Sequence, residues 1–141
     1  MAKHIWTILC TKALVEEKTN NVSLIEIIEQ LEVLGVPNET RAILPIQLVL
    51  VTLWSRSDLD RAEFATGKFE FLAPSGEVLG GGEYDINLRD YRRSRNLANM
   101  NSLPLQGPGI YKFVIRIRED ENNTWTEVAS LPLEVLYSAS G

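Results

Sequence analysis

From Tyr111 to Arg118 apolar and polar residues alternate. Tyr111, Phe113, Ile115 and Ile117 fall on one side, and Lys112, Val114, Arg116 and Arg118 on the other. Side chains of a strand point to opposite faces in turn. The stretch therefore predicts a half-buried antiparallel strand with one aromatic and aliphatic face. Gly107-Pro108-Gly109 precedes it as a turn signal, since Pro presets φ and Gly tolerates positive φ. Glu119-Asp120-Glu121-Asn122-Asn123 follows, with nothing apolar to bury, and reads as a solvated turn. Trp125 restarts the pattern, and Leu131, Leu133, Val135 and Tyr137 share a face. Pro132 cannot donate to a ladder, so this last strand is expected at an edge or broken there. Pro108 to Tyr137 is thus a predicted hairpin.

The rest of the chain carries the same kind of signal. Ile5 to Val15 predicts a first strand, with Trp6, Ile8, Cys10 and Leu14 on one face, interrupted by Lys12. Glu16 to Asn21 is a polar turn. Val22 to Leu34 is ambiguous. Leu24, Ile27, Ile28, Leu31 and Leu34 have helical spacing, and Ser23 with Glu26 fits a capping box. The same residues could also pair back as a strand. Gly35 to Thr40 is a loop turning at Pro37-Asn38. Ile43 to Trp54 is nearly continuously apolar and predicts a strand buried on both faces or facing a partner. Ser55 to Thr66 is a polar loop. Gly67 to Leu88 is a second hairpin, with Phe69, Phe71 and Ala73 on one face and Pro74-Ser75-Gly76 as its turn. Gly80-Gly81-Gly82 suggests a bulge or a sharp bend between sheets. Arg89 to Leu105 has no strand pattern. The count is about seven strands separated by turns, which indicates a single all-β domain over residues 1–141, an immunoglobulin-like antiparallel β-sandwich. The alternative is α+β, with residues 23–34 helical.

Several short motifs resemble a family of small bacterial β-sandwich domains of unknown function. They are the polar turn Lys18-Thr19-Asn20-Asn21 followed by Val22-Ser23-Leu24-Ile25, the turn Leu72-Ala73-Pro74-Ser75-Gly76-Glu77, and Gly109-Ile110-Tyr111-Lys112-Phe113. They are spread over the whole chain. The resemblance implies a sandwich, and implies that Val22 to Leu34 is strand with a bulge or bend near Glu29-Gln30. It assigns no activity and no site residues.

Composition narrows the chemistry. With 141 residues, 45% of them hydrophobic, 23% charged and a net charge of −5, the values are those of an ordinary globular domain. Mild acidity argues against nucleic-acid binding by the whole surface. The single cysteine, Cys10, excludes an internal disulfide, and its apolar surroundings predict a buried inert thiol. No apolar run reaches the length of a membrane span, and the N-terminal run is too short for a secretory signal. The matches to the glycosylation sequon at Asn21, Asn38 and Asn122 then read as chance. A cytoplasmic protein is expected.

Enzyme chemistry has little to stand on. His4 is the only histidine, so any Ser-His-Asp or Cys-His site would need it. The His and Cys inventory is too thin for zinc. No phosphate-binding glycine motif is present. Glu119 to Asn123 could hold Ca²⁺ through oxygens, but the spacing is not that of an EF-hand. Trp6, Trp54 and Trp125 sit at strand positions, where packing competes with a role as a sugar platform. The anomaly is Arg89, Arg92, Arg93 and Arg95, four arginines within seven residues of an acidic chain, with Tyr91 among them. Arginine forks bind phosphate and carboxylate, and Tyr stacks on rings. These five residues are an anion-binding candidate; the competing reading pairs the arginines with Asp85, Asp90 or acids elsewhere. The expectation is a non-catalytic interaction module with a protein partner or a homo-oligomer, no cofactor, no metal and no membrane. Anion or nucleic-acid binding through the arginine loop is the alternative.

Overall fold

Tyr111, Phe113, Ile115 and Ile117 are completely buried, and the strand that carries them is the middle of the larger sheet. A computed structural model describes residues 1–35 and 41–138. The expected Pro37-Asn38 turn lies outside the described residues. The strands are β1 (Lys3–Val15), β2 (Val22–Ile27), β3 (Gln30–Leu34), β4 (Arg41–Leu44), β5 (Leu48–Ser55), β6 (Glu63–Leu72), β7 (Val78–Leu88), β8 (Arg93–Met100), β9 (Leu103–Gln106), β10 (Gly109–Arg118) and β11 (Thr126–Ser138). One sheet has the order β2-β1-β5-β8, the other β3-β11-β10-β6-β7, and β4 with β9 forms a small ribbon. No helix occurs among the described residues. The fold is an all-β sandwich, and the α+β alternative is not favoured.

The inner faces of the two sheets meet in one core. Leu9, Leu48, Leu50 and Trp54 from the smaller sheet pack with Phe71, Tyr111, Phe113, Leu133 and Val135 from the larger. Phe71 lies between Tyr111, 5.4 Å away and stacked, and Phe113, 4.7 Å away and tilted. Each such ring contributes about 1.5–3 kcal/mol by leaving water. Tyr111 also ties down the turn before it. Its hydroxyl donates to the Gly107 carbonyl at 2.7 Å and accepts from the Gln106 N–H at 2.6 Å. A tyrosine hydrogen-bonded to backbone just upstream of its own strand is a feature of immunoglobulin-like sandwiches.

The observed strands differ from the expected ones in definite places. Eleven strands stand among the described residues where about seven are expected, and β3 pairs in parallel with β11. Val22 to Leu34 is two strands that belong to different sheets. The chain leaves β1 after Ile27, where the Ile28 N–H donates to the Leu9 carbonyl at 2.8 Å, and joins β11 from Gln30. The helically spaced residues share no buried face: Leu31 is buried, Leu24 and Ile28 are half-buried, and Ile27 and Leu34 are exposed. Ile43 to Trp54 is also two strands. Pro45 removes a donor and the chain changes direction there, with the Ile46 N–H bonded to the Leu44 carbonyl. Only β5 is deeply buried, between β1 and β8, so it offers no face to a second copy; Ile43 on β4 is 73% exposed.

Arg89 to Leu105 is mostly strand. β8 pairs along the length of β5, from Leu48↔Met100 to Ser55↔Arg93, and β9 pairs with β4. Its sequence RSRNLANM has weak strand propensity; pairing with β5 overrides that. Gly80, Gly81 and Gly82 make no bend between sheets. They pair with Phe71, Glu70 and Phe69 inside β7, and the register shift lies beside them, between Gly80 and Val78. A Cβ on Gly81 would meet the Phe69 carbonyl oxygen at 2.4 Å. Opposite, the Tyr84 ring lies against Gly67, 2.5 Å from where a Cβ would stand.

The residues expected on one face of β1 are divided: Trp6 and Cys10 are covered, Ile8 lines a groove and Leu14 is exposed. Leu9 points into the main core, while Trp6 and Cys10 belong to a second cluster with Val49, Val51, Ala13, Leu24 and Leu97. That cluster lies on the outer face of the smaller sheet. The distal half of the β1–β2 hairpin covers it with Ala13 and Leu24, beyond Glu26, which takes φ 54°. The hairpin turns at Asn20, with φ 60°, a conformation that Asn tolerates. Burial of Val49 and Val51 on this face explains why β5 reads as apolar on both sides.

Candidate functional site

The arginines divide. Arg89 and Arg92 lie in the β7–β8 turn with Tyr91, and Arg93 and Arg95 are on β8. The Arg89 guanidinium sits 4.7 Å over the Phe64 ring, away from the others. Arg92 is exposed, and its carbonyl accepts from the Arg56 N–H at 3.1 Å. Arg93 and Arg95 are two residues apart on one strand and share its outer face, about 7 Å apart along the chain. With Tyr91 they line a groove of about 450 Å³ whose other walls include Asp85, Asn87 and Asn20. The tip of the β1–β2 hairpin closes one end, where Nη1 and Nη2 of Arg95 donate to the Asn20 carbonyl at 3.2 and 2.5 Å. Among the described residues none of the four arginines forms an ion pair with a carboxylate. Asp90 accepts instead from Asn87 Nδ2 at 3.2 Å. The structure thus brings Tyr91, Arg93 and Arg95 together, and leaves Arg89 and Arg92 outside.

A second site lies on the opposite flank. β2 pairs with β1 only from Cys10 onward, so Lys3 to Leu9 have a strand partner on the β5 side alone. Facing them, β11 pairs with β3 only from Glu134, which leaves Thr126 to Leu133 partnered by β10 alone. Between the two half-free edges runs an apolar groove of about 490 Å³, walled by Thr7 and Ile8, Ile27 and Ile28, Ile110, and Leu131 with Pro132. Its charged groups are Glu29 and Glu134, with no basic residue in the wall. The Glu134 N–H faces this flank, donating to the Glu29 carbonyl at 3.2 Å. Pro132, two residues earlier, faces the same way and has no N–H. The expectation that Pro132 marks an edge is met here. No sequence pattern marks the gap in β1's pairing.

The remaining aromatic and titratable candidates are held in packing. Trp54 is buried, and its Nε1–H donates to the Tyr84 hydroxyl at 3.2 Å. The Trp125 ring carries two cations, Lys68 Nζ at 4.4 Å and the Arg118 guanidinium at 4.3 Å from its centroid. Trp6 packs on the outer cluster. Burial raises the Tyr84 and Tyr111 phenols and the Cys10 thiol, and lowers His4. His4 Nε2 lies 2.7 Å from Thr7 Oγ1, and its ring stands edge-on to Trp54 at 5.5 Å. At the β10–β11 tip, Glu119 pairs with the N-terminal ammonium at 3.4 Å. No group of His, Cys, Asp and Glu able to hold a metal is found among the described residues. No described helix is long and apolar enough to cross a membrane. No protein-family model matches the chain, and no curated protein matches it.

Proposed function

We propose that the protein is a non-catalytic, cytoplasmic protein-binding module that takes an extended segment of a partner along the free edge of β1. The half-empty edge carries this reading. Lys3 to Ile8 lack a neighbouring strand on the side where β2 has turned away, and unpaired strand edges add strands from other chains. The Ile28 N–H bond to Leu9 shows which way that edge points, so the Thr7 backbone two residues earlier faces the same flank. The added strand pairs with β1 rather than with β11, because Pro132 interrupts the donors on the facing edge. Side chains on one face of the added strand enter the groove between Ile8, Ile27, Ile110 and Leu131. Glu29 and Glu134 at the groove select a Lys or Arg in the segment. The chemistry of the occupant is therefore an extended segment with an apolar residue at every second position and a basic residue near one end.

The test uses a fluorescent peptide of about ten residues, alternating Val and Thr with two Lys at one end. It is expected to bind saturably in anisotropy, and Glu29→Lys with Glu134→Lys to weaken it about tenfold or more, as loss of charged contacts implies. Both glutamates are exposed, so the fold is not at stake. Equal binding of a peptide with Glu in place of Lys sinks the reading. A dimer in light scattering that Ile27→Lys converts to monomer makes the partner a second copy of this chain.

A further inference from the structure

We propose that the groove between the β1–β2 hairpin tip and the β7–β8 turn binds a small phosphate-bearing ligand that carries an aromatic ring, a nucleotide in chemical class. Positive charge is available there. The Arg93 side chain makes no hydrogen bond or ion pair among the described residues. Arg95 is half-buried and commits two of its N–H groups to one carbonyl, that of Asn20. A guanidinium has five donors, so most of the fork on this strand face remains open to an anion. The Asn20 contact holds Arg95 in place in advance, which reduces the ordering cost of binding.

The rest of the groove selects against a bare anion and against a long one. Tyr91 is 63% exposed at the groove, with its ring free to stack on a planar group. Asp85, on the other wall, forms no ion pair with the arginines. It repels a second phosphate but accepts hydrogen bonds from a sugar hydroxyl or a ring amine. Asn87 is already engaged, donating to Asp90 and accepting from the Arg89 N–H at 3.1 Å. A volume of about 450 Å³ suits a ligand of this size. The net charge of −5 repels a polyanion at long range, so the positive groove favours a mononucleotide over a nucleic-acid strand.

The experiment is titration of the whole chain at low salt with adenosine monophosphate, adenosine and inorganic phosphate, followed by calorimetry and by amide chemical shifts. Adenosine monophosphate is expected to saturate, moving the signals of Arg93 to Leu97 and of Asn20. Adenosine and phosphate alone are expected to bind about tenfold more weakly or less, because each keeps only one of the two contacts. Arg93→Gln and Tyr91→Ala, both at exposed positions, are each expected to weaken binding about tenfold. Arg92→Gln, outside the groove, is expected to change it less than about twofold. Equal losses in Arg92→Gln and Arg93→Gln overturn the proposal, since they report diffuse attraction. So does the absence of saturable binding at millimolar nucleotide, or tighter binding of a twenty-nucleotide single strand. None of these outcomes bears on the peptide edge of β1, which lies on the other flank.

Discussion

The two flanks of the sandwich close in opposite ways. On the β7–β8 flank the sheets are joined by polar contacts of the chain with itself. The Tyr84 ring covers Gly67 and its hydroxyl accepts from Trp54. The Arg56 guanidinium donates to three carbonyls, those of Leu88 at 2.8 Å, Leu59 at 2.9 Å and Arg89 at 3.0 Å. On the β1–β11 flank the sheets face each other across aliphatic side chains, and β2 and β3 each cover only part of an edge. The first flank is tied by side chains and presents side-chain charge, although β7 and β8 are each paired on one side only. The second presents backbone and apolar surface. A sandwich has two such openings, and under the two proposals one takes a small charged ligand and the other an extended segment of another chain.

The largest loss of stability is expected from emptying the closed flank. Tyr84→Ala removes the ring over Gly67 and leaves the Trp54 N–H without its partner. It is expected to cost about 3 kcal/mol in urea denaturation, near the lower end for large-to-small aromatic changes. Ile110→Ala on the open flank, where Ile110 is 45% exposed, is expected to cost about 0.5 kcal/mol or less. Similar losses for the two would show that the open flank is as integral to the core as the closed one.

A smaller effect sharpens the same contrast. Arg56→Ala takes charged donors from three carbonyls, two of which water can reach. It is expected to cost about 1–2 kcal/mol. The loss should be local: amide exchange should quicken through Arg89 to Arg92, the turn that Arg56 holds, and stay unchanged in β10. Uniform quickening would mean that the turn is a cooperative part of the whole fold.

What could be read from the sequence follows the same division. The core of β10 and β11, the Phe69, Phe71 and Ala73 face and the turns at Asn20 and Gly76 were legible, because alternation and turn chemistry are local. The Pro132 edge was legible for the same reason. β8 was not, because Arg93, Arg95 and Asn96 show no strand preference until β5 lies beside them. The break inside Ile43 to Trp54 was signalled by Pro45, but the apolar run around it masked the signal. The arginine cluster was visible as composition, whereas its division between turn and strand depends on pairing. Asn20 and Asp85 could not be joined to it from spacing alone, since they come from a hairpin tip and a neighbouring strand. The free edge of β1 is the hardest case. It exists because β2 leaves for the other sheet at Ile28, and departure from a sheet is a fact of topology rather than of any residue type.

The smallest expected effect concerns how dry the β1 side of the core is. His4 leads β1, half-buried against Trp54, and burial lowers its pKa below the ordinary value of about 6.5. Its contacts are Thr7 and Trp54, and no charged side chain contributes to the shift. A histidine whose folded pKa is depressed is neutral in both states above the unfolded value, so no stability is lost there. As pH falls below about 6.5 the unfolded chain takes up the proton first, and folding becomes less favourable until the folded value is passed. The melting temperature is therefore expected to fall between pH 7 and pH 5.5 more steeply than that of His4→Gln. Carboxylates begin to titrate in both proteins over this range, and the difference between the two curves removes them. Superimposable curves would mean that the ring reaches water along the open edge when it is protonated. A strand docked on β1 should then close that route, and the difference should return in its presence.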